Sequence, residues 1–294
     1  MTDTGHLPAG PAGGSGGTGP ELPAAAGRPA PAARPATGRV LFFSDCHLGA
    51  GSEAEDRPRE DKVVAFLRDE GPRADAVYML GDLFDFWFEY RHTVPRRHFR
   101  VLNALAALVE RGIPVTFFGG NHDFWVGSFL EQEIGCRVTY GPLEVVEQGR
   151  RIFLAHGDGL ARGDYGYLFL RGVLRNRWCI AGYRLLHPDL GIPLARWSSK
   201  LSRHTRDESS FDVEWLRDQI AAPRFAAGCD AALVGHFHHP RHLRDEAGRD
   251  FLVLGDWIAN DTYAVLEGGA FRLLRWAGPA GAGSVVAAGA RPGS

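Results

Sequence analysis

Short apolar runs recur along the chain, and five of them end in a cluster of polar residues. The runs are rich in branched and aromatic side chains, which is typical of buried strands; they are Val40–Phe43, Val77–Leu80, Val115–Phe118, Ile152–Ala155 and Ala231–Val234. Apolar residues spaced three and four apart predict helices elsewhere, at Glu60–Asp69, Phe99–Arg111, Phe124–Ile134 and Phe211–Ile220.

The pattern also predicts hairpins. Leu143–Glu147 and Arg151–Ala155 flank a Gln-Gly-Arg turn and predict one hairpin. Three more strands are predicted near the end of the chain, at Phe251–Leu254, Thr262–Leu266 and Ala270–Trp276. Strands that alternate with helices and hairpins predict an α/β protein in which two packed sheets are covered by helices.

Composition changes sharply at both ends of the chain. Residues 1–37 are mostly Gly, Pro, Ala, Thr and Ser, and residues 278–294 have a similar Gly/Ala bias. Such segments cannot bury enough apolar area to offset chain entropy, so both are predicted to be disordered. The folded domain is therefore predicted to span residues 38–277.

Bulk properties exclude some classes of function. The chain has 294 residues, 45% of them hydrophobic, which is enough for a sizeable core. Its formal net charge of −2 argues against general nucleic-acid binding, and no apolar run approaches the length of a membrane span. The four scattered cysteines favour reduced thiols in a cytosolic protein over a disulfide framework.

The polar clusters after the five strands carry only oxygen and nitrogen ligands. They are Ser44-Asp45-Cys46-His47, Gly81-Asp82, Gly120-Asn121-His122-Asp123, His156-Gly157-Asp158 and Gly235-His236-Phe237-His238. Side chains at the carboxyl ends of strands form sites in α/β proteins, and this donor set suits divalent cations. Two cations held close together need a bridging anion, for which Asp82 is the best candidate. His236 and His238 would project to the same side of an extended segment.

The order of these motifs resembles the signature of the calcineurin-like metallophosphoesterases, from Arg39 to Trp276. The resemblance implies a four-layer fold of two mixed sheets flanked by helices, and two divalent metal ions. It implies that one metal is bound by Asp45, His47, Asp82 and His238, and the other by Asp82, Asn121, His156 and His236. Mn²⁺ suits these ligands best, with Fe and Zn²⁺ as rivals.

The same resemblance suggests roles beside the metals. His122 would lie beside the scissile phosphate, where it could stabilise the oxyanion or protonate the leaving group. Asp123 would orient His122, and Asp158 would support His156. Both His122 and Asp123 are therefore predicted to be catalytic.

Residues 162–206 form an insertion between two of the motifs, rich in aromatic, leucine and arginine side chains. It predicts either a helical cap over the site or a surface that rests on anionic lipid. The alternative is a helical pair packed on the sheet, with its arginines merely solvated. An insertion that rests on anionic lipid predicts a cytoplasmic protein that associates peripherally with the inner membrane.

The segment from Gly81 to Trp87, the place of the insertion and Asp164-Tyr165-Gly166-Tyr167 look like UDP-2,3-diacylglucosamine pyrophosphatases of lipid A synthesis. That family cleaves an acylated sugar nucleotide to UMP and a lipid sugar monophosphate. By this resemblance Asp164 and Tyr167 would contact the sugar, and Lys200 or Arg203 the phosphate. The best-known branch of the family has Arg at the position of His122. The alternative is a generic metallophosphoesterase acting on nucleotides, other phosphodiesters or phosphoproteins.

Overall fold

The structure, a computed structural model, describes residues 37–160, 172, 176–203, 212–279, 281 and 283–286, and of residues 196–203 it describes the helix backbone alone. The strands are β1 Arg39–Phe43, β2 Ala76–Met79, β3 Val115–Phe118, β4 Arg137–Thr139, β5 Leu143–Glu147, β6 Arg150–Ala155, β7 Ala231–Val234, β8 Arg241–Arg244, β9 Asp250–Val253, β10 Thr262–Glu267, β11 Ala270–Arg275 and β12 Ser284–Val285. The helices are α1 Glu53–Asp69, α2 Phe99–Glu110, α3 Arg177–Tyr183, α4 Pro188–Arg203 and α5 Val213–Ala226. Within the described ranges, each helix is too short or too polar to span a bilayer.

The strands form two mixed sheets. The first has the order β12-β11-β10-β1-β2-β3-β4, with β1 to β4 parallel and β10 antiparallel to β1. The second has the order β5-β6-β7-β9-β8, with β6, β7 and β9 parallel. Parallel strands end at a common edge, so each sheet gathers the residues that follow its strands.

Side-chain alternation along the strands builds four layers. From β1, Val40 and Phe42 face the second sheet and pack with Leu154 and Leu233. Leu41 and Phe43 face the other way, into a core shared with α1 and α2. The far side of the second sheet packs on α5 through side chains such as Phe153 and Ile220. The predicted four-layer fold of two mixed sheets flanked by helices is confirmed.

Most predicted elements are present, with changed ends. α1 begins at Glu53, earlier than the predicted Glu60, because Ser52 and Glu55 form a capping box there. The predicted strands and the hairpin are all found, each within two residues of its expected bounds. Three short strands were not predicted: β4, β8 and β12.

The prediction of a helix over Phe124–Ile134 is wrong for most of its length. Only Leu130–Ile134 is helical, as a single wide turn that ends at Gly135 with φ 84°. Before it, the Glu89 carboxylate accepts a hydrogen bond from the Phe129 N–H at 3.1 Å. The Phe129 N–H therefore bonds to Glu89 and not to a backbone carbonyl of the predicted continuous helix.

The prediction of disorder over residues 278–294 is wrong for Ser284–Val285, which pair with β11 as strand β12. Residues 287–294 and 1–36 lie outside the described residues. Thr37, assigned to the N-terminal tail, donates hydrogen bonds to the Asp75 carboxylate. Part of the insertion, residues 177–183 and 188–203, is helical.

Candidate metal centre

The five polar clusters meet at the edge where β1, β2 and β3 of the first sheet and β6 and β7 of the second sheet end. Backbone hydrogen bonds join the segments that follow these strands. The Asp45 N–H donates to the Gly81 carbonyl at 3.0 Å, and the Gly235 N–H donates to the His156 carbonyl at 2.8 Å. These bonds bring the clusters of each sheet side by side.

Two groups of side chains face each other at this edge. In the first, Asp45 Oδ1 lies 3.4 Å from His238 Nε2, which lies 3.2 Å from His47 Nε2. In the second, Asn121 Oδ1 lies 3.0 Å from His156 Nε2 and 2.8 Å from His236 Nδ1.

Asp82 joins the two groups. Its Oδ2 lies 3.7 Å from His47 Nε2 in the first group and 3.3 Å from His156 Nε2 in the second. The structure thus places all seven predicted ligand side chains together, with one carboxylate oxygen between the two groups. Their role as metal ligands stays a prediction.

Backbone donors hold the two carboxylates in place. Asp82 Oδ1 accepts a hydrogen bond from the His122 N–H at 2.8 Å, and Asp45 Oδ2 accepts one from the His236 N–H at 2.9 Å. In each carboxylate, one oxygen is anchored by the backbone while the other faces the ring nitrogens. Such anchoring fixes a ligand before a cation arrives.

Five of the seven side chains stand on residues with a left-handed backbone. The φ values are 55° for Asp45, 45° for His47, 54° for Asp82, 70° for His236 and 57° for His238. The expectation that His236 and His238 lie on an extended segment is therefore wrong: β7 ends at Val234, and each histidine joins a different group. Left-handed non-glycine residues cost on the order of 1 kcal/mol each, and they concentrate at functional sites.

Glycines make room for the anchored carboxylates. A Cβ atom on Gly120 would lie 2.2 Å from Asp82 Oδ1, and one on Gly235 would lie 2.6 Å from Asp45 Oδ2. Side chains at these two positions would displace the carboxylates, which explains why glycine precedes the polar residues in both motifs.

The charges in the site are strongly coupled. Burial disfavours charged His47, but its contacts with Asp45 and Asp85 outweigh burial and raise the pKa of His47 to about 10. Burial likewise opposes charged His156, and the neighbouring Asp82 raises the pKa of His156 to about 10.

The two carboxylates respond in the opposite direction. Burial raises the pKa of Asp45 and of Asp82, but the neighbouring imidazoles outweigh it and hold both pKa values well below the usual range. The site therefore keeps buried negative charge that attracts cations or protons.

The donor set fits divalent cations. Asp45 Oδ1 is buried and has no hydrogen-bond partner within the described part of the chain. His156 Nδ1 lies 2.7 Å from the Leu80 carbonyl, so it donates there and leaves Nε2 as a ligand atom. The Leu80 carbonyl thus orients His156, and the charge of Asp158 also favours the protonated form of His156. Mixed carboxylate, amide and imidazole donors suit Mn²⁺, Fe or Zn²⁺.

Comparison with known proteins identifies the family. Residues 38–250 match the model of the calcineurin-like phosphoesterases. The chain belongs to that family. Its members are metal-dependent hydrolases of phosphoric esters and pyrophosphates, so this phosphoesterase is an enzyme that uses divalent metal ions.

Relatives match most of the chain. A protein of Porphyromonas gingivalis named UDP-2,3-diacylglucosamine hydrolase is 34% identical over 78% of this chain and 94% of its own length. A protein of the same name from Aeromonas salmonicida is 33% identical over 80% of this chain and 92% of its own length. Among solved structures, Entamoeba histolytica Vps29 complexed with Zn²⁺ is 13% identical over 84% of this chain and 97% of that chain, with a TM-score of 0.42.

His122 stands beside the cluster of this phosphoesterase. Its Nδ1 lies 3.2 Å from the Asp85 carbonyl oxygen and 3.6 Å from Asp85 Oδ1. Asp85 Oδ1 also lies 3.5 Å from His47 Nδ1. Asp85 therefore lies between the predicted catalytic histidine and a predicted ligand.

Asp123 has a different environment from the predicted one. It is fully buried, and its Oδ1 accepts hydrogen bonds from the N–H groups of Gly120 at 2.8 Å and Asp82 at 3.2 Å. Its Oδ2 accepts one from the Phe84 N–H at 3.2 Å. Burial and the charge of Asp82 raise the pKa of Asp123 to about 7. These bonds brace the segments after β2 and β3, so the structure corrects the prediction that Asp123 orients His122.

Sequence reasoning missed a second brace. Asn260 Nδ2 donates to the His238 carbonyl at 3.0 Å and to Asp256 Oδ2 at 2.7 Å. Asp256 Oδ1 accepts from the Ile258 N–H at 2.7 Å, which fixes the turn. Gly255-Asp256 follows strand β9 as Gly81-Asp82 follows β2, and this repeated signal could have revealed it.

The four side chains predicted to contact the substrate lie outside the part of the chain that the structure describes. Asp164 and Tyr167 lie outside the described residues. Lys200 and Arg203 lie on α4, but their side chains lie outside the described part. All four stay predictions.

Proposed function

We propose that this phosphoesterase hydrolyses the pyrophosphate of UDP-2,3-diacylglucosamine and releases UMP and the lipid sugar monophosphate. The observation that carries the proposal is the match, over nine tenths of their length, to relatives named for this substrate. The cluster around Asp82 supports it, because pyrophosphate hydrolysis needs strong charge stabilisation at the phosphoryl oxygens.

Two divalent cations, most suitably Mn²⁺, would be held by the two groups that share Asp82: Asp45, His47 and His238 on one side, and Asn121, His156 and His236 on the other. When bound, they would lower the pKa of a water and neutralise charge on the phosphoryl oxygens. The carboxylates are already anchored by backbone N–H groups, so little reorganisation is needed on binding.

His122 would handle the proton of the leaving group. With a proton on Nδ1, His122 would donate to the Asp85 carbonyl at 3.2 Å and keep Nε2 as the atom that donates or accepts a proton toward substrate. The imidazole is only 13% exposed, so few solvent molecules compete for that proton. His122 would therefore act as the general acid.

A cavity of about 450 Å³ would receive an acyl chain of the substrate. It begins at Gly49, two residues after His47, and runs between the segment 86–98 and the start of α4. Phe86, Val94 and Ile192 supply apolar walls, while Arg96 and Arg97 supply positive charge. An apolar space beside cations suits a molecule that carries acyl chains and a diphosphate.

The insertion supports a membrane location at the cytoplasmic face of the inner membrane. Trp178, Leu185, Leu190 and Leu194 are exposed, with fractions of 71%, 88%, 68% and 52%. The guanidinium of Arg177 lies 4.9 Å from the Trp178 ring. An apolar helical face with adjacent arginines is the arrangement that binds anionic lipid.

Product analysis tests the proposed reaction. Purified enzyme with Mn²⁺ in ¹⁸O-labelled water should convert UDP-2,3-diacylglucosamine to UMP and the lipid monophosphate, with the label in UMP. Label in the lipid product would show that water attacks the phosphorus nearer the sugar, contrary to the proposal of attack at the phosphorus nearer the nucleoside. The absence of turnover with any divalent metal would overturn the reaction.

The alternative is a generic phosphoesterase, which is favoured by His122 at the position where the best-known branch of the UDP-2,3-diacylglucosamine pyrophosphatases has Arg. It predicts that an unacylated UDP-sugar is cleaved as fast as the diacylated form. The main proposal predicts that kcat/KM falls by on the order of 100-fold without acyl chains, since remote binding energy is lost. Comparing both substrates in one assay decides between the two.

A further inference from the structure

The described helices of the insertion, α3 and α4, are docked on the catalytic domain through an aromatic contact. Tyr183 is the last residue of α3, and its ring lies 4.6 Å from that of Phe88 and 4.9 Å from that of Trp125, measured between ring centroids. The Phe86 ring lies 6.2 Å away. These distances are those of stabilising aromatic pairs.

A second contact fixes α4 against the same tyrosine. The Tyr183 hydroxyl donates to the Gly191 carbonyl at 2.5 Å. A Cβ atom on Gly191 would lie 2.4 Å from the Tyr90 hydroxyl, so the domain touches α4 where α4 has no side chain. Gly191 is buried, unlike most of the described residues 176–195 around it.

The aromatic partners belong to the segments that carry the proton-handling residues. Phe86 directly follows Asp85, and Trp125 comes three residues after His122. A parallel bridge between Phe88 and Trp125 joins the two segments beneath the Tyr183 ring.

The same contacts set one side of the cavity. Phe86 and Tyr90 line it from the domain, and Pro188 and Ile192 line it from α4. Because Tyr183 bonds to Gly191, between Pro188 and Ile192, a shift of Tyr183 changes the width of the cavity.

We infer that Tyr183 is a positioning residue: it holds the insertion against the His122 segment and sets the cavity that admits the acylated part of the substrate. The inference rests on the proposed function for the identity of that substrate. It predicts a larger effect of Tyr183 on binding of the acylated substrate than on turnover of a small one.

Kinetics on two substrates test the role. Tyr183→Ala should raise KM for UDP-2,3-diacylglucosamine by about tenfold or more, at least about five times its effect on a soluble aryl phosphodiester. Tyr183→Phe keeps the ring and loses the hydroxyl, so its effect should be intermediate. Phe99→Ala removes an aromatic side chain that is 71% exposed outside the insertion, and it should change neither value. Equal effects on both substrates, or none, would overturn the inference.

A rescue experiment measures the docking of α3 and α4 on the domain without any substrate. Gly191→Ala should speed amide hydrogen exchange in residues 183–191 by about tenfold, and Tyr90→Phe in the same chain should restore protection, because the hydroxyl that meets the new Cβ is gone. Unchanged exchange in both Gly191→Ala and Tyr183→Ala would overturn docking even if the enzyme cleaves its substrate. Faster exchange in an enzyme that does not cleave the acylated substrate would contradict the proposed function and leave docking supported.

Discussion

At the scale of single residues, the site depends on side chains that stand on unfavourable backbone. Asp45, Asp82 and His238 all have positive φ. Aspartate and histidine tolerate this region better than branched residues, and hydrogen bonds such as that from the Asp45 N–H to the Gly81 carbonyl hold it. The side chains that gather at the site could be predicted from the sequence because the motifs are short and ordered. The left-handed backbone of five of them could not be predicted, since it is set by contacts with a distant segment.

His122 tests the proton-handling role. His122→Ala should lower kcat on the order of 100-fold or more, because proton transfer to the leaving group is lost. Bound metal, measured by elemental analysis, should stay the same, since the seven proposed ligands remain. His92→Ala, which removes an exposed histidine, is the control and should have no effect. Loss of metal in the His122 variant would contradict the assignment.

A substitution of Asp123 tests whether this residue stabilises the segments after β2 and β3. Asp123→Ala leaves buried N–H groups of Gly120 and Phe84 without their acceptor, so the free energy of unfolding of metal-free protein should fall by about 3 kcal/mol or more. Urea unfolding measures this change. Asp218→Ala, at a side chain that is 58% exposed, should change it little. Unaltered stability together with loss of activity would restore the predicted catalytic role.

At the scale of elements, the strands were predictable because buried strands are short runs of branched and aromatic residues. The helix predicted over 124–134 failed because periodicity does not reveal a tertiary acceptor such as Glu89. Strand β12 was missed because its composition is that of a tail, and only pairing with β11 orders it. The sequence pattern predicts a helix or strand well where the apolar side chains of that element determine that it is buried.

The exposed face of α3 and α4 tests membrane binding. Leu190→Glu places a negative charge on a side chain that is 68% exposed, so folding should be unaffected while binding to anionic vesicles falls about tenfold. Val146→Glu is the matched control, on an exposed valine of β5. Co-sedimentation with vesicles at low and high salt measures both. Equal binding of the two variants would exclude this face as the contact.

At the scale of the whole molecule, the candidate metal centre lies between the two sheets. Asp45, Asp82 and Asn121 follow strands of the first sheet, while His156 and His236 follow strands of the second. Cations held by both sets would tie the sheets together. The sequence predicted which residues gather, but not that they straddle the sheet interface, because that depends on how the sheets stack.

Thermal unfolding tests this tie. Adding Mn²⁺ to metal-free protein, at a concentration about 100 times the Kd for Mn²⁺, should stabilise the protein by about 2.7 kcal/mol per site. This gain raises Tm by roughly 5–10 °C. At a fixed Mn²⁺ concentration, the gain should shrink as pH falls, because the Kd rises. Without a cation, His47 and His156 hold protons up to pH values near their pKa of about 10. Bound cations must displace these protons, and more acid makes displacement harder. A gain that is constant between pH 6 and 8.5 would contradict the proposed ligands.

β10 pairs with β1, and Arg39 lies opposite Glu267. This pairing joins segments near the two ends of the folded domain. During synthesis on the ribosome, β1 therefore waits with one edge uncovered until almost all of the chain has emerged. Bare strand edges recruit other chains. A polypeptide that stops after Gly255 would possess all seven proposed ligands and still lack the partner of β1. We expect it to pellet as aggregates on centrifugation, whereas the full chain stays in the supernatant.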